Sequence, residues 1–229
     1  MTETFYKITN PDGTSFQDGK TKYEVGKTVR KRKCMAPKLC TNTVLHASPT
    51  IKDALWYATS LPMAIWKVEG DPVVHGDKKA GFFSLRVVEK IEPTDELLGF
   101  RYREACNPIN PMAIQNEISD VDIAALKAWV LVWSSVRDSV WSSVRDSVRD
   151  SVWGSVWSSV RDSAGAYIGS LFLNIKKWFY IKHEEGVYPF QSAVDLWRRG
   201  FVPVKIGGNW HLYGWRDGRA VSLYEGEEF

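Results

Sequence analysis

The chain has 229 residues, 44% apolar and 25% charged, with a net charge of +3. This is ordinary for a soluble globular protein that buries a real core, and too little charge to argue for a nucleic-acid partner. No stretch reaches the roughly 18 apolar residues of a membrane span, and the N-terminus MTETFYKITN carries no leader pattern. The cysteines Cys34, Cys40 and Cys106 are odd in number and sparse, which argues against a disulfide framework or a zinc site.

Three regions differ in grammar. Residues 1–115 hold eight of the ten prolines and read as a small mixed α+β domain. Thr4–Thr9 alternates and is rich in aromatic and β-branched residues, the pattern of a strand. Asn10-Pro11-Asp12-Gly13 is a turn signal. Tyr23–Val29 reads as a second strand. Ser48 can cap a helix that has Pro49 at its first position and Asp53 in its first turn. That helix should reach about Thr59 and stop before Pro62. Met63–Glu69 and Gly81–Ile91 read as further strands.

Residues 116–178 are free of proline and read as helical. From Ser135 to Ser163 a tetrapeptide recurs, SVRD SVWS SVRD SVRD SVWG SVWS SVRD S. Four residues turn an α-helix through about 400°, so a row at this spacing drifts about 40° per repeat. One fixed partner face cannot cover such a row over the whole array. The expectation is a long central helix in a right-handed, parallel homo-oligomeric bundle. Its interface would be Val136, Val140, Val144, Val148, Val152, Val156 and Val160. A β-type solenoid built from the same repeat stays open beside it. The Arg residues of the array are each followed by Asp, so their charges cancel, which suits an anionic membrane poorly.

Residues 179–229 read as a small C-terminal unit of one helix and β-hairpins. Pro189–Arg199 looks helical, with Gly200 as its stop. Phe201–Ile206 and Asn209–Tyr213 flank Gly207-Gly208, a hairpin signal. Asp217-Gly218 precedes a last strand, Ala220–Tyr224.

Candidate chemistry lies in the first 115 residues. Lys27–Lys33 (KTVRKRK) places Arg30, Lys31 and Arg32 where they could hold phosphate. No phosphate loop accompanies them, and no two of the four histidines stand at metal-ligand spacing. His46, Ser48 and Thr50 lie where a strand passes into a helix N-terminus, a place where free amides could line a ligand cleft.

Two resemblances follow from longer stretches. The segments YKITNPDG, KYEVGKTV, CTNTVLHASPTIKDALWYA and KWFYIKHEEGVYPFQSAVDLWRRGFVP resemble a group of phage and prophage proteins. In those, a small α+β domain precedes an array of short tandem repeats. The resemblance implies a phage source and a cytoplasmic place in a bacterial host cell. Residues 4–70 are also similar to the front half of ADP-ribosyltransferase-like folds. A first strand (Phe5–Thr9) is followed by a His-x-Ser-x-Thr stretch (His46, Ser48, Thr50) and a helix ending in Tyr57-Ala58. That resemblance implies NAD or an NAD-derived nucleotide as ligand. Tyr6 and Lys7 stand at the first-strand position that holds it, and Glu89 would be the late catalytic carboxylate.

Together these features lead to an oligomeric, non-enzymatic phage-type accessory protein whose N-terminal domain binds a nucleotide or a host protein. The alternatives are an ADP-ribosyltransferase-like enzyme acting on NAD, and a structural scaffold component. No metal is expected in any of them.

Overall fold

In the computed structural model, which describes residues 3–144 and 161–226, the strands form three antiparallel sheets. Tertiary contacts divide the chain into two units, one up to Leu98 and one from Gly99 onward.

The first unit contains β1 (Glu3–Thr9), β2 (Thr28–Arg30), β3 (Leu45–Ala47), α1 (Ile51–Leu55), β4 (Ala64–Gly70), β5 (Val74–His75), β6 (Ala80–Phe82), β7 (Ser84–Ile91) and α2 (Asp95–Leu98). One sheet has the order β1-β4-β7-β2, the other β3-β6-β5. Phe5, Trp66, Val68, Phe82, Leu85 and Val87 fill the core, joined by the buried ring of Tyr23. Phe5 and Phe82 meet edge to face at 4.8 Å. Each large side chain fully buried here contributes about 1.5–3 kcal/mol. On β1 the two-residue period puts Lys7 on the same face as Phe5 and Thr9, both almost fully buried. A lysine therefore occupies a core-side position, opposite Trp66 in the register of β1 with β4.

Several local expectations change, and α1 ends at Leu55, short of the expected Thr59. Gly81–Ile91 is two strands, not one: the chain leaves the second sheet after Phe82 and enters the first at Ser84. Of Tyr23–Val29 only the last two residues lie in a strand, β2; Tyr23 instead docks through its N–H on Gly13 O at 2.9 Å. The cap of α1 is Thr50, whose Oγ1 accepts from the Asp53 N–H at 3.0 Å. Ser48 cannot cap because its backbone is already paired in both directions with Tyr6, at 2.7 and 2.8 Å.

The second unit contains α3 (Tyr102–Cys106), α4 (Asp120–Val130), α5 (Trp133–Val144), α6 (Arg161–Gly169), α7 (Gln191–Arg198) and a sheet of β8 (Val202–Ile206), β9 (Asn209–Arg216) and β10 (Arg219–Gly226) in the order β10-β9-β8. Tyr167 stacks on Trp197 at 5.4 Å, with Ala164, Leu171 and Val194 around them. Ser119 and Asp122 form a capping box at the start of α4. Gly207 and Gly208, both at positive φ, make the β8–β9 turn.

The expected long central helix, and the right-handed oligomeric bundle built on it, are overturned. No helix among the described residues exceeds twelve residues. α4 stops at Val130, and α5 begins at Trp133. Val140 Cγ2 lies 3.1 Å from where a Cβ on Gly169 would sit. In one straight helix those residues would stand about 44 Å apart, so α5 and α6 are separate helices packed on each other. Val136 and Val140 are buried inside this unit, at 1% and 0% exposure. The side chain of Val144, and all of Val148, Val152, Val156 and Val160, lie outside the described residues. The expected α+β class gives way to a mixed, strand-rich fold with short helices.

Candidate functional site

The first unit encloses a cavity of about 300 Å³ lined by Lys7, Lys79, His46, Ser48, Tyr57 and Phe16, among others. β1 supplies Tyr6, Lys7 and Ile8, and β3 supplies His46 and Ala47. The register of β3 with β6 pairs Ala47 with Ala80 and His46 with Gly81. That pairing brings Lys79, just before β6, to the end of β3 where Ser48 follows. Only Gly fits at position 81: a Cβ there would come within 2.6 Å of Val74 Cγ1 and 2.8 Å of Val44 Cγ2.

His46 is the centre of a polar network. The Cys40 N–H donates to its Nε2 at 3.1 Å, and its Nδ1 stands 3.1 Å from Gln17 Oε1. Since Nε2 accepts, Nδ1 carries the proton and donates to Gln17. The Gln17 amide in turn donates to Thr41 O at 3.5 Å. Burial, reinforced by the charges of Lys79, Lys7 and Lys31, pushes His46 down to about 4. His46 is thus a neutral strut that holds the Cys40 loop against the cavity, with both ring nitrogens engaged.

Lys7 is the opposite case. Among the described residues its Nζ has neither a hydrogen bond nor an ion pair, and its nearest aromatic face is Tyr23, 5.6 Å from the ring centre. Burial brings its pKa down to about 8; Asp18 works against this from a distance, and Lys79 adds to it. Among the described residues, no Asp or Glu lines the cavity. Lys79 sits at its edge with Nζ 4.3 Å from the centre of the Tyr57 ring.

A smaller recess of about 150 Å³ adjoins it and shares Lys7, Gln17 and His46. Here Lys31 pairs with Asp18 at 3.7 Å. Against the effect of burial, hydrogen bonds from Thr21 and Lys20 and the charge of Lys31 hold Asp18 down at about 2. The lysine charge is therefore already matched.

Of the residues singled out from sequence, Tyr6, Lys7, His46 and Ser48 meet in the larger cavity, and Lys31 faces the smaller one. Arg30 lies on β2 and Arg32 just after Lys31; both are exposed and line neither space. Thr50 is engaged as the cap of α1. The Ser48 amide, expected to be free, is bound to Tyr6. Glu89 lies exposed on β7, opposite Lys67, and lines neither space. Lys79 and Gln17 were not singled out from sequence. No spacing signals them, because strand pairing and a loop bring them in.

Among the described residues, no group of three His, Cys, Asp or Glu side chains could hold a metal ion, and no helix is long and apolar enough to cross a membrane. No family model, curated protein or solved structure matches the chain.

Proposed function

We propose that the first unit is a binding module for a small anionic molecule, a mononucleotide or a compound of similar size and charge. The observation that carries this is Lys7: among the described residues an amine without hydrogen bond or ion pair, in a cavity edged by a second lysine and lined by no carboxylate. A buried cation without a partner is costly, and an anion supplies the missing partner. The volume of about 300 Å³ falls at the lower end of small-molecule sites. Phe16, Tyr6 and Tyr57 offer apolar and aromatic surface for the uncharged part of the ligand.

The test is calorimetry on the full chain with inorganic phosphate, pyrophosphate and adenosine monophosphate. Binding should weaken with added salt. It should fall about tenfold in Lys79→Gln, the loss of one charge-assisted contact. No heat with any of the three would sink the reading.

A second reading is an ADP-ribosyltransferase-like enzyme. It is favoured by the meeting of Lys7, His46, Ser48 and Tyr57 in one cavity. Among the described residues it lacks a carboxylate there, since Glu89 is elsewhere. Nicotinamide release from NAD would establish it over the binding module, and no release would exclude it.

A further inference from the structure

Lys7 is more than an unmatched charge. It projects from a core-facing strand position into a space whose other cation is Lys79 and whose histidine has both nitrogens engaged. The nearby Tyr23 is itself buried, and burial keeps its hydroxyl protonated. The carboxylate felt at Lys7, Asp18, is taken up by Thr21 and Lys31. Among the described residues the Tyr23 ring and the distant, already paired Asp18 favour the ammonium only weakly against burial, and Nζ borders a cavity with room for a reactant.

We propose that the Lys7 amine is a nucleophile that condenses with the carbonyl group of a small anionic aldehyde or ketone, whose anionic substituent is held by Lys79. This rests on the reading of the cavity as an anion site, and it narrows the ligand to carbonyl compounds. Burial beside another cation is a recognised route to a reactive lysine. With its pKa at about 8, roughly a quarter of Lys7 is neutral at pH 7.5, against about one in a thousand for an ordinary lysine.

The step balances without an oxidant or reductant. The neutral Nζ attacks the carbonyl carbon; a C–N bond forms, and the carbonyl π pair moves to oxygen. One proton passes from nitrogen to that oxygen through solvent, giving a carbinolamine. Protonation of its hydroxyl breaks the C–O bond, water leaves, and a protonated imine remains on Lys7. His46 takes no part, because its Nε2 is occupied by the Cys40 N–H.

The experiment uses the full chain with pyridoxal 5′-phosphate, borohydride reduction and peptide mass mapping. Pyridoxal without the phosphate and calorimetry with inorganic phosphate run in parallel. One dominant reduced adduct should form on Lys7, its rate rising with pH through a midpoint near 8. Lys7→Arg should lose that adduct and keep the background on surface lysines. Lys79→Gln should slow labelling by the phosphorylated aldehyde about tenfold and leave labelling by pyridoxal unchanged. If phosphate binds but Lys7 is labelled no faster than surface lysines, the nucleophile is overturned and the anion site stands. If phosphate fails to bind and both aldehydes label Lys7 equally, the anion site and the anionic substrate are overturned together.

Discussion

Arg199, just past the end of α7, grips Asp122 in the first turn of α4 with two hydrogen bonds. Nε reaches Oδ1 at 2.5 Å and the terminal nitrogen reaches Oδ2 at 3.0 Å. Ser119 completes the set through its N–H and hydroxyl, at 2.9 and 2.6 Å. The Asp122 side chain is 1% exposed, while that of Arg199 is 42% exposed. Replacing Arg199 with Met would leave the carboxylate without its cation, so unfolding of the second unit should become easier by about 3 kcal/mol in urea titration. Asp122→Asn should lose less, since the amide retains some of the hydrogen bonds. Burial works against ionisation of Asp122, but Arg199 and Ser119 outweigh it and depress its pKa. Its contribution is therefore complete above the unfolded carboxylate value of about 3.9. It fades as pH falls below that value toward the depressed folded one. An Arg199→Met chain whose stability matched the parent at neutral pH would refute this account.

Gly200 ends α7 at a φ of 86°, and a Cβ there would collide with the carbonyl of Ile114. Both the left-handed backbone and the close approach demand glycine. Gly200→Ala should destabilise the second unit by more than about 1 kcal/mol, because alanine fits neither condition. Thermal unfolding followed by near-ultraviolet circular dichroism, with many tryptophans as reporters, would read the loss. An unchanged midpoint would contradict the geometry.

These two residues also mark what sequence reading reaches. Gly200 as a helix stop, the Asn10–Gly13 turn, β1, β4, α7 and the Gly207-Gly208 hairpin are all local patterns, and the fold contains them. The Asp122–Arg199 pair spans 77 residues, and no local pattern carries it. The tetrapeptide array misled for a related reason. A 40° drift per repeat is severe over seven valines but small over two. Val136 and Val140 are buried within the unit, Val140 against Gly169 of α6, so no second chain is needed to bury them. At the site, Lys7, His46 and Ser48 were legible through element order. Lys79 was not, because β3–β6 pairing decides its place.

Lys7 should be a destabilising residue. Its folded pKa of about 8 lies below the ordinary 10.5. Below pH 8 both states hold the proton, and the folded state bears the full penalty of a buried ammonium. Between about 8 and 10.5 the unfolded chain keeps a proton that the folded one has released, so stability rises with pH. Lys7→Met should accordingly raise the stability of the first unit at pH 7 by about 1–3 kcal/mol, and the gain should shrink by pH 10. Such a trade is familiar at ligand sites, where function is kept at the expense of stability. Urea unfolding at the two pH values would measure it. A destabilised Lys7→Met chain at pH 7 would mean that the ammonium has a partner in the folded protein.

His46 makes the converse demand at acid pH. Its folded pKa of about 4 lies below the ordinary 6.5, because the fold has room only for the neutral ring. A proton on Nε2 would face the Cys40 N–H, donor against donor, and add charge beside Lys7 and Lys79. Above about pH 6.5 neither state is protonated, and His46 adds no pH dependence. As pH falls from 6.5 toward 4, the unfolded chain binds a proton that the folded chain refuses, so stability drops, by about 3 kcal/mol at most. The first sign should be release of the loop around Cys40, read as loss of hydrogen-exchange protection at the Cys40 N–H, which donates to His46 Nε2. His46→Gln removes the titration and keeps a hydrogen-bonding side chain. Its stability should be lower than the parent at pH 7 and nearly flat from pH 6.5 to 4.5. If the parent and His46→Gln chains lose stability in parallel over that range, His46 is not the group that limits the first unit in acid.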